Sequence, residues 1–348
     1  MASQISVEYA LQKKNAVFLD TRTSAEFAED HLPGAINLPI LSDDERAVVG
    51  TLYKQVSQEK ALEKGKDFFM KKLPEFLKNV EKYKKQEIIV NCWRGGMRSK
   101  VVAELLAAQG YKVWQLQGGY KEYRRYVRER LEHYVLKPRC IVVWGRTCTG
   151  KTALLSQFPH SLDLEGLAQH RGSLFGAIGL KPHAQKMFES LLLQRLEELQ
   201  NQKYILVEGE SKKIGEVQIP HFLYRAMMEG IAVLLKADLA TRAQNAVKEY
   251  LPRPEDREKV LEIVSSLQKV ISKAQKHHVQ EFFQQGKYAA GVRILLEYYY
   301  DPLYDYTLKK RTYVLEMESN EGAKVMELLK KNHRLDELKL VLNLPEGH

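Results

Sequence analysis

A cysteine follows a short apolar run in the N-terminal third of the chain. Glu87–Val90 is predicted to be a buried strand, and Cys92 lies at its carboxyl end. The loop after it contains Arg94, Gly95, Gly96, Met97 and Arg98. A glycine-containing loop that opens a helix directs backbone N–H groups at one point, and the arginines add positive charge. Because such a setting stabilises a thiolate and a neighbouring oxyanion, Cys92 is predicted to be a nucleophile that receives a transferable group.

A second loop has the pattern of a phosphate-binding motif. It follows the predicted strand Cys140–Trp144 and consists of Gly145, Arg146, Thr147, Cys148, Thr149, Gly150, Lys151 and Thr152. This string fits G-x-x-x-x-G-K-[ST], whose backbone amides bind a di- or triphosphate. Lys151 is predicted to neutralise the terminal phosphate, and Thr152 could hold Mg²⁺. Cys148 is predicted to be incidental.

Four more polar residues are predicted to line the phosphate-loop pocket. They are Asp163, His170, Arg171 and Glu208. Glu208 follows the predicted strand Tyr204–Val207, at the place where nucleotide hydrolases usually carry an acidic residue. For each residue taken alone, an ordinary polar position in a loop is an equally good interpretation.

The elements that position these loops alternate between strands and helices. Residues 1–136 contain predicted strands at Ala16–Asp20, Glu87–Val90 and Lys112–Leu116, with helical patterns such as Ser99–Gln109 between them. This alternation predicts a parallel α/β sheet. A long basic helix is predicted over residues 120–136. The linker between the two domains is predicted at Lys137–Arg139.

A second α/β domain is predicted over residues 137–348. A helical insertion is predicted at about 239–308, before a last strand and a last helix, Asn320–Lys331. The predicted strands are Cys140–Trp144, Tyr204–Val207, Ile231–Leu235 and Thr312–Glu316. The fold class is therefore predicted to be α/β throughout, as two different domains.

Composition limits the protein class. The 348 residues are 44% hydrophobic and 28% charged, which is typical of a folded globular protein and argues against disorder. No apolar run reaches the roughly 18 residues of a membrane span, and the first residues lack the layout of a signal peptide. The three cysteines (Cys92, Cys140, Cys148) cannot make a disulfide framework, so the cytoplasm is the expected compartment. A net charge of +10 suits a polyanionic partner such as nucleic acid, although a merely basic enzyme fits charge alone equally well.

Residues 1–136 resemble a rhodanese domain. The resemblance is carried by Asp20–Arg22, Glu26–Phe27, His31–Asn37 and the Cys92 loop. In that family the loop cysteine carries a persulfide. Arg98 lies six residues after Cys92, which gives C-x5-R, similar to the phosphate-sized loop of dual-specificity phosphatases and arsenate reductases. The pocket is therefore expected to admit a tetrahedral, phosphate-like anion.

Over nearly its full length the chain resembles the bacterial tRNA 2-selenouridine synthase family. The order of the motifs and the strings between them make the match specific: Glu45–Gln55, Cys92–Ser99, Gly145–Thr152, Asp163–Gly176 and Tyr299–Tyr306. The resemblance implies a two-step reaction on wobble 2-thiouridine in the anticodon region of tRNA. Geranyl diphosphate first alkylates the sulfur, and selenophosphate then supplies selenium in place of the geranylthio group.

The resemblance also implies roles for the two loops. Arg94–Arg98 would bind selenophosphate, Cys92 would carry selenium as an S-selanylcysteine, and Gly145–Thr152 would bind the diphosphate. It implies no tightly bound cofactor, no metal-ligand set beyond a Mg²⁺ that could sit at the phosphate loop, and no membrane partner. A selenophosphate synthase could act as the donor.

Two regions are candidates for holding tRNA. One is the basic helix with Arg124, Arg125 and Arg128, and the other is the segment 248–311 with its tyrosines. Core packing is an alternative for Tyr298–Tyr300. His277 and His278 are predicted to lie on a solvated helix face, because they have no partner ligands at metal-site spacing.

Three other interpretations remain open from the residues. Cys92 could be a buried core cysteine, although core packing does not require two glycines and two arginines after it. The chain could be a tRNA sulfurtransferase or a C-x5-R phosphatase-like enzyme with a P-loop NTPase domain. It could also be a nucleotide kinase or NTPase regulator in which the first domain is only a sensor or binding module.

Overall fold

The computed structural model describes residues 2–267 and 271–321. The chain forms two compact units. Unit 1 comprises residues 1–134 and 184–194, and unit 2 comprises residues 135–183 and 195 onward. The sequence placed the domain border at residue 136 and did not indicate that a segment as late as 184–194 packs with the first unit.

Unit 1 is built on a five-stranded parallel sheet in the order β1-β5-β4-β2-β3. Its strands are β1 Ser3–Ile5, β2 Val17–Asp20, β3 Ile36–Asn37, β4 Glu87–Asn91 and β5 Lys112–Leu116. Its helices are α1 Val7–Gln12, α2 Ser24–Glu29, α3 Asp43–Gln55, α4 Gln58–Glu81, α5 Met97–Ala108 and α6 Gly119–Glu132. The three predicted strands and the predicted helix near 99–109 are confirmed, with ends that shift by one or two residues.

The central strand β4 explains why Cys92 lies at a site. Ile88, Ile89 and Val90 are completely buried, because helices cover both faces of a parallel sheet. Since the carboxyl ends of β4 and β2 pair, Asp20 lies opposite Asn91, next to the cysteine. Ligands of open parallel sheets bind beyond this edge.

Unit 2 contains a second parallel sheet, in the order β12-β11-β6-β8-β7. Its strands are β6 Arg139–Trp144, β7 Ser161–Leu162, β8 Tyr204–Glu208, β11 Ile231–Lys236 and β12 Leu315–Glu318, and β9 Lys213–Ile214 with β10 Val217–Gln218 forms a small antiparallel pair. The helices before the insertion are α7 Lys151–Ser156, α8 Leu164–Ala168, α9 Gln185–Leu199 and α10 His221–Met228. The residues of α9 up to Gln194 belong to unit 1, and the rest belong to unit 2.

The segment predicted as a helical insertion is helical. It consists of α11 Leu239–Tyr250, α12 Pro254–Ser266, α13 Lys273–Gln284, α14 Tyr288–Leu295, a π-helix Leu296–Tyr300 and α15 Asp301–Leu308. These helices share an apolar core that also takes in Cys148 of the phosphate loop. In the described part of the chain, no helix has the length and apolar character to cross a membrane.

The end of the chain differs from the prediction. The last strand is Leu315–Glu318 rather than Thr312–Glu316. Arg311 lies over the Trp144 ring at 3.5 Å, and the Tyr313 hydroxyl donates to the Leu308 carbonyl at 2.9 Å. These contacts hold residues 311–313 in an irregular conformation outside the strand. Of the predicted helix Asn320–Lys331, only the start is described, as a 3₁₀ turn Ser319–Glu321; the rest lies outside the described residues.

Candidate active site: a cysteine loop and a phosphate loop

Cys92 is a buried thiol with a hydroxyl beside it. The residue is 3% exposed, and its Sγ lies 3.2 Å from Oγ of Ser99, in the first turn of α5. Gln115 of β5 donates to the same Oγ at 3.0 Å and to the Gly95 carbonyl at 2.8 Å. The Ser99 hydroxyl can therefore donate a hydrogen bond to a thiolate at Cys92. Neither Ser99 nor Gln115 was predicted from the sequence to be part of the site, although Ser99 ends the string Cys92–Ser99 that carries the family resemblance.

The N-terminus of α6 fixes the shape of the cysteine loop. Tyr120 N–H donates to the Cys92 carbonyl at 2.8 Å, and Lys121 N–H donates to the Trp93 carbonyl at 2.9 Å. Gly119 has φ +59°, and a β-carbon there would overlap the Cys92 carbonyl oxygen and the Gly95 nitrogen. Because the carbonyl oxygens of this loop accept hydrogen bonds from α6, its own backbone N–H groups can donate to a bound anion.

The predicted anion-binding arginines differ in their surroundings. Arg94 is exposed, and so is its neighbour Met97. Arg98 instead donates to both carboxylate oxygens of Glu26, at 2.7 and 3.3 Å. Glu26 is itself fixed, because it completes the capping box at the start of α2. Burial alone would raise the pKa of Glu26, but hydrogen bonds and charge from Arg98 outweigh it and the pKa is lowered.

The phosphate loop joins β6 to α7, and α11 holds it from behind. Arg242 Nε donates to the Thr147 carbonyl at 2.9 Å, and Asn245 Nδ2 donates to the Cys148 carbonyl at 3.0 Å. Cys148 has φ +63°, which is unusual for a residue other than glycine. Lys151 Nζ donates to the Gly145 carbonyl at 3.3 Å. Hydrogen bonds to its carbonyl oxygens thus fix the conformation of the loop, and its backbone N–H groups can donate to a phosphate.

Two aspartates one turn apart on α15 anchor the arginines of the loop region. Asp301 accepts two hydrogen bonds from Arg242, at 2.6 and 3.0 Å. Asp305 accepts two from Arg146, both at 2.8 Å. The sequence indicated the string Tyr299–Tyr306 only through the family resemblance. In the structure, its two aspartates fix the arginines that contact or belong to the phosphate loop.

Three carboxyl groups gather beside Lys151 and Thr152. The Thr152 hydroxyl donates to Oε1 of Glu208 at 3.3 Å, and Glu165 and Glu210 lie close to Glu208. Burial and the charge of Glu210 raise the pKa of Glu208 to about 8. Burial would lower the pKa of Lys151, but the surrounding acids raise it. Glu165 and Glu210 were missed, although each lies within two residues of Asp163 or Glu208, which were predicted.

The parts of the chain that match known protein families include both loops. Residues 138–260 and 258–335 match the family model described as the tRNA 2-selenouridine synthase AAA domain, and residues 4–126 match the rhodanese-like domain. The chain is 34% identical to the tRNA 2-selenouridine synthase of Hydrogenovibrio crunogenus over 346 residues, which covers 89% of this chain and 94% of that protein. It is 29% identical to the one from Sulfurovum sp., covering 92% and 96%, and 32% identical to the one from Hahella chejuensis, covering 85% and 86%.

The chain belongs to the tRNA 2-selenouridine synthase family. The resemblance noted in the sequence is confirmed, and so is the predicted fold class, a rhodanese-like domain followed by a second α/β domain. As a member of this family the protein is an enzyme.

The other predicted pocket residues of this synthase-family chain have main-chain partners. Asp163 caps α8 by accepting from Gly166 N–H at 2.8 Å. His170 Nδ1 accepts from Gly172 N–H at 3.1 Å. Arg171 donates to the carbonyls of Ile178 and Glu249, at 2.9 and 3.1 Å. The structure therefore gives these three side chains a part in shaping the segment after the loop, while Glu208 contacts the loop itself.

The predicted basic helix, Gly119–Glu132 in the structure, presents only part of its charge to solvent. Arg124 is 8% exposed and pairs with Glu189 at 2.5 Å and with Asp30 at 3.5 Å, all within unit 1. Arg125 and Arg128 are exposed. A polyanion can therefore reach Arg128, and it can reach Arg125 in competition with the ion pairs that Arg125 makes with Glu122 and Glu129. Arg124 is occupied in the packing of this family member.

The remaining predicted residues lie in the helical insertion. Tyr300 is 6% exposed and belongs to the apolar core, as the packing alternative held, whereas Tyr298 is 46% exposed. His277 and His278 lie on the exposed face of α13, and His277 is 3.4 Å from Glu281 one turn away.

Proposed function

We propose that this protein replaces the sulfur of 2-thiouridine in tRNA by selenium. The observation that carries the proposal is that a chain of the 2-selenouridine synthase family holds a buried cysteine and a phosphate loop, each at the carboxyl edge of a parallel sheet. A thiocarbonyl sulfur is a poor leaving group, so the exchange needs an activation step before selenium enters. Two anion-binding loops fit two steps that each use a phosphorus-containing donor.

The first step is S-geranylation at the phosphate loop. The thiocarbonyl sulfur attacks C1 of geranyl diphosphate, the C1–O bond breaks, diphosphate leaves, and the base loses its N3 proton. Lys151 and the loop amides would stabilise the charge on the departing diphosphate. A Mg²⁺ ion near Thr152 would add charge stabilisation to the same leaving group.

An isoprenyl tail also needs apolar surface near the loop. A cavity of about 30 Å³ adjoins Thr147 and Cys148, and it is walled by apolar side chains that include Phe175, Leu295 and Tyr300. A cavity of this size holds about one water, so a ten-carbon tail must displace side chains as it binds. The lining favours an isoprenyl chain over a nucleobase, and calorimetry with geranyl diphosphate and ATP compares the two ligands. Tight ATP binding without geranyl diphosphate binding would overturn this assignment.

The second step uses the cysteine loop. Selenophosphate is proposed to bind near Arg94 and Arg98, which places a phosphate-sized anion beside the Cys92 sulfur. The P–Se bond breaks as the phosphoryl group passes to water and leaves as phosphate. Selenium becomes attached at C2 of the base, and the C2–S bond breaks, so that the geranyl group leaves as the thiol. The Ser99 hydroxyl would hold the Cys92 thiolate in position while it acts on the donor.

Single substitutions should separate the two steps. Cys92→Ser is expected to accumulate S-geranylated uridine and to make no selenouridine, because the phosphate loop lies in unit 2 and keeps its residues. Lys151→Ala is expected to retain 2-thiouridine, because it lacks a charge that binds the diphosphate. Supplying geranylated tRNA should restore selenation to Lys151→Ala but not to Cys92→Ser.

Nucleoside mass spectrometry of the tRNA reads all three products. Both variants must first melt at the wild-type temperature and bind tRNA. Selenouridine formed by Cys92→Ser would remove the cysteine from the second step. Normal geranylation by Lys151→Ala would show that the phosphate loop has been given the wrong step.

A further inference from the structure

Three carboxylates converge next to the phosphate loop. Glu165 lies on α8, Glu208 ends β8, and Glu210 follows two residues later. One oxygen from each lies within 4.8 Å of the other two. The ligands of an octahedral Mg²⁺ at about 2.1 Å are up to about 4.2 Å apart, so a small inward movement would bring all three oxygens onto one ion.

Two of these carboxylates each have one buried oxygen without a hydrogen-bond partner. Glu208 is 1% exposed and Glu210 is 6% exposed. Within the described residues, Oε2 of Glu208 and Oε1 of Glu210 are buried and accept no hydrogen bond. A buried carboxylate oxygen without a donor or counter-charge is strongly unfavourable. The two orphaned oxygens therefore indicate that a positively charged ligand belongs beside them.

The lysine of the loop does not supply enough charge. Lys151 is 7% exposed, and its charge acts on all three acids. One ammonium group cannot neutralise three carboxylates, and the ammonium itself bonds to the Gly145 carbonyl rather than to any of them. Replacing these acids by apolar residues would relieve the repulsion, so the cluster is better explained by a ligand than by stability.

The backbone around the cluster keeps room for an ion. Gly172 has φ +65°, and a β-carbon there would lie 2.9 Å from Oε2 of Glu210 and 3.5 Å from Oε1 of Glu165. Any larger residue at this position would press on the carboxylates. A glycine that both turns the chain and leaves the oxygens uncovered fits a small ligand at that point.

We propose that Glu165, Glu208 and Glu210 bind one hard divalent cation of the Mg²⁺ class. All three ligands are carboxylate oxygens, which hard cations prefer, whereas Zn²⁺ favours histidine and cysteine. The site is held by three acids of the chain, so the ion binds before any diphosphate arrives. Its use in holding a diphosphate rests on the proposed function, but its existence does not.

The test is metal binding by the full-length protein without substrate. Mn²⁺ serves as the probe, followed by calorimetry and electron paramagnetic resonance, with Mg²⁺ as competitor. Wild type is expected to bind one Mn²⁺ per chain, and Glu210→Gln at least tenfold more weakly. Glu216→Gln is the matched control, because Glu216 lies nearby in sequence with its side chain 93% exposed and paired to Lys213. Equal Mn²⁺ affinity in Glu210→Gln and wild type would refute the site.

A second measurement needs no variant. Mg²⁺ at constant ionic strength should raise the melting temperature of wild type and the rise should saturate, because an ion that binds only the folded state stabilises it. No rise would also overturn the proposal. Binding of inorganic diphosphate distinguishes the metal site from the proposed S-geranylation step. Diphosphate binding without Mn²⁺ binding would refute the metal site alone. Mn²⁺ binding without binding of diphosphate or geranyl diphosphate would refute the S-geranylation step alone.

Discussion

Asp301→Asn tests whether α15 holds the phosphate loop through a buried ion pair. Asp301 is the carboxylate partner of Arg242, and Arg242 in turn donates to the Thr147 carbonyl. The substitution keeps the shape of the side chain but leaves the guanidinium without a counter-charge. We expect both a less stable unit 2 and a looser loop.

The size of the effect follows from burial. The Arg242 side chain is 1% exposed and that of Asp301 is 16% exposed. Removing one partner of a fully buried pair costs about 3–5 kcal/mol. Some water reaches Asp301, so we expect the lower part of that range, about 3 kcal/mol, and a fall in melting temperature of roughly 6–12 °C for a unit of about 200 residues.

The same helix provides the control. Asp305 makes an equivalent two-bond contact with Arg146, but the Arg146 side chain is 42% exposed. An exposed pair contributes about 0–1 kcal/mol, so Asp305→Asn should lower the melting temperature by no more than about 4 °C. The two variants share the charge change and the helix. They differ in burial, and Asp301 also lies 3.3 Å from Arg146, so its loss affects both arginines.

Tryptophan fluorescence can report on unit 2 alone. The chain has three tryptophans, of which Trp144 lies in unit 2 and Trp93 and Trp114 lie in unit 1. With Trp93 and Trp114 replaced by phenylalanine, urea unfolding followed through Trp144 gives the free energy of unfolding of unit 2. Calorimetry with inorganic diphosphate should show about tenfold weaker binding for Asp301→Asn, which is about 1.4 kcal/mol. If Asp301→Asn is no more destabilising than Asp305→Asn, the buried-pair reasoning is wrong.

Three further predictions address unit 1. Removing the charges of Arg125 and Arg128 should weaken tRNA binding and reduce the slope of log affinity against log salt by about 1.5, and an unchanged filter-binding titration would exclude this helix from the tRNA surface. Gly119→Ala should cost more than about 2 kcal/mol in urea unfolding, because the new β-carbon meets backbone at positive φ, whereas Gly50→Ala, with open space around it, should be neutral or gain about 0.5–1 kcal/mol. The pKa of Glu26 is lowered from 4.5 in the folded protein, so Glu26 contributes its full stabilisation above pH 4.5 and loses it as the pH falls through its folded-state pKa. Glu26→Gln should therefore flatten the decline of the free energy of unfolding at acid pH. Identical pH profiles for the variant and wild type would contradict this.

Both candidate loops could be predicted from the sequence because each is contiguous. A strand, a glycine-containing turn and the first turn of a helix lie within about a dozen residues at Cys92 and again at Lys151, so local pattern fixes their geometry. The same holds for the central strands: Ile88–Val90 and Ile141–Val143 are apolar without interruption, as strands buried on both faces must be.

The partners of these loops could not be read in the same way. Glu26 meets Arg98 across 72 positions, and Arg146 meets Asp305 across 159. Arg124 belongs to a helix whose many arginines predict an exposed basic face. In the structure, however, ion pairs with Glu189 and Asp30 bury Arg124 within unit 1. A charged residue carries no local sign of whether it will meet water or an opposite charge.

The sequence by itself therefore determined the two loops that we propose carry the chemistry, since the conformation of a turn depends on the residues within it. Only the tertiary structure decided which side chains hold those loops, and it alone brought Glu165 to Glu208 and Glu210. The physical reason is that hydrogen bonds and ion pairs act over a few ångströms. Partners far apart in sequence become neighbours only after the sheets and helices have packed.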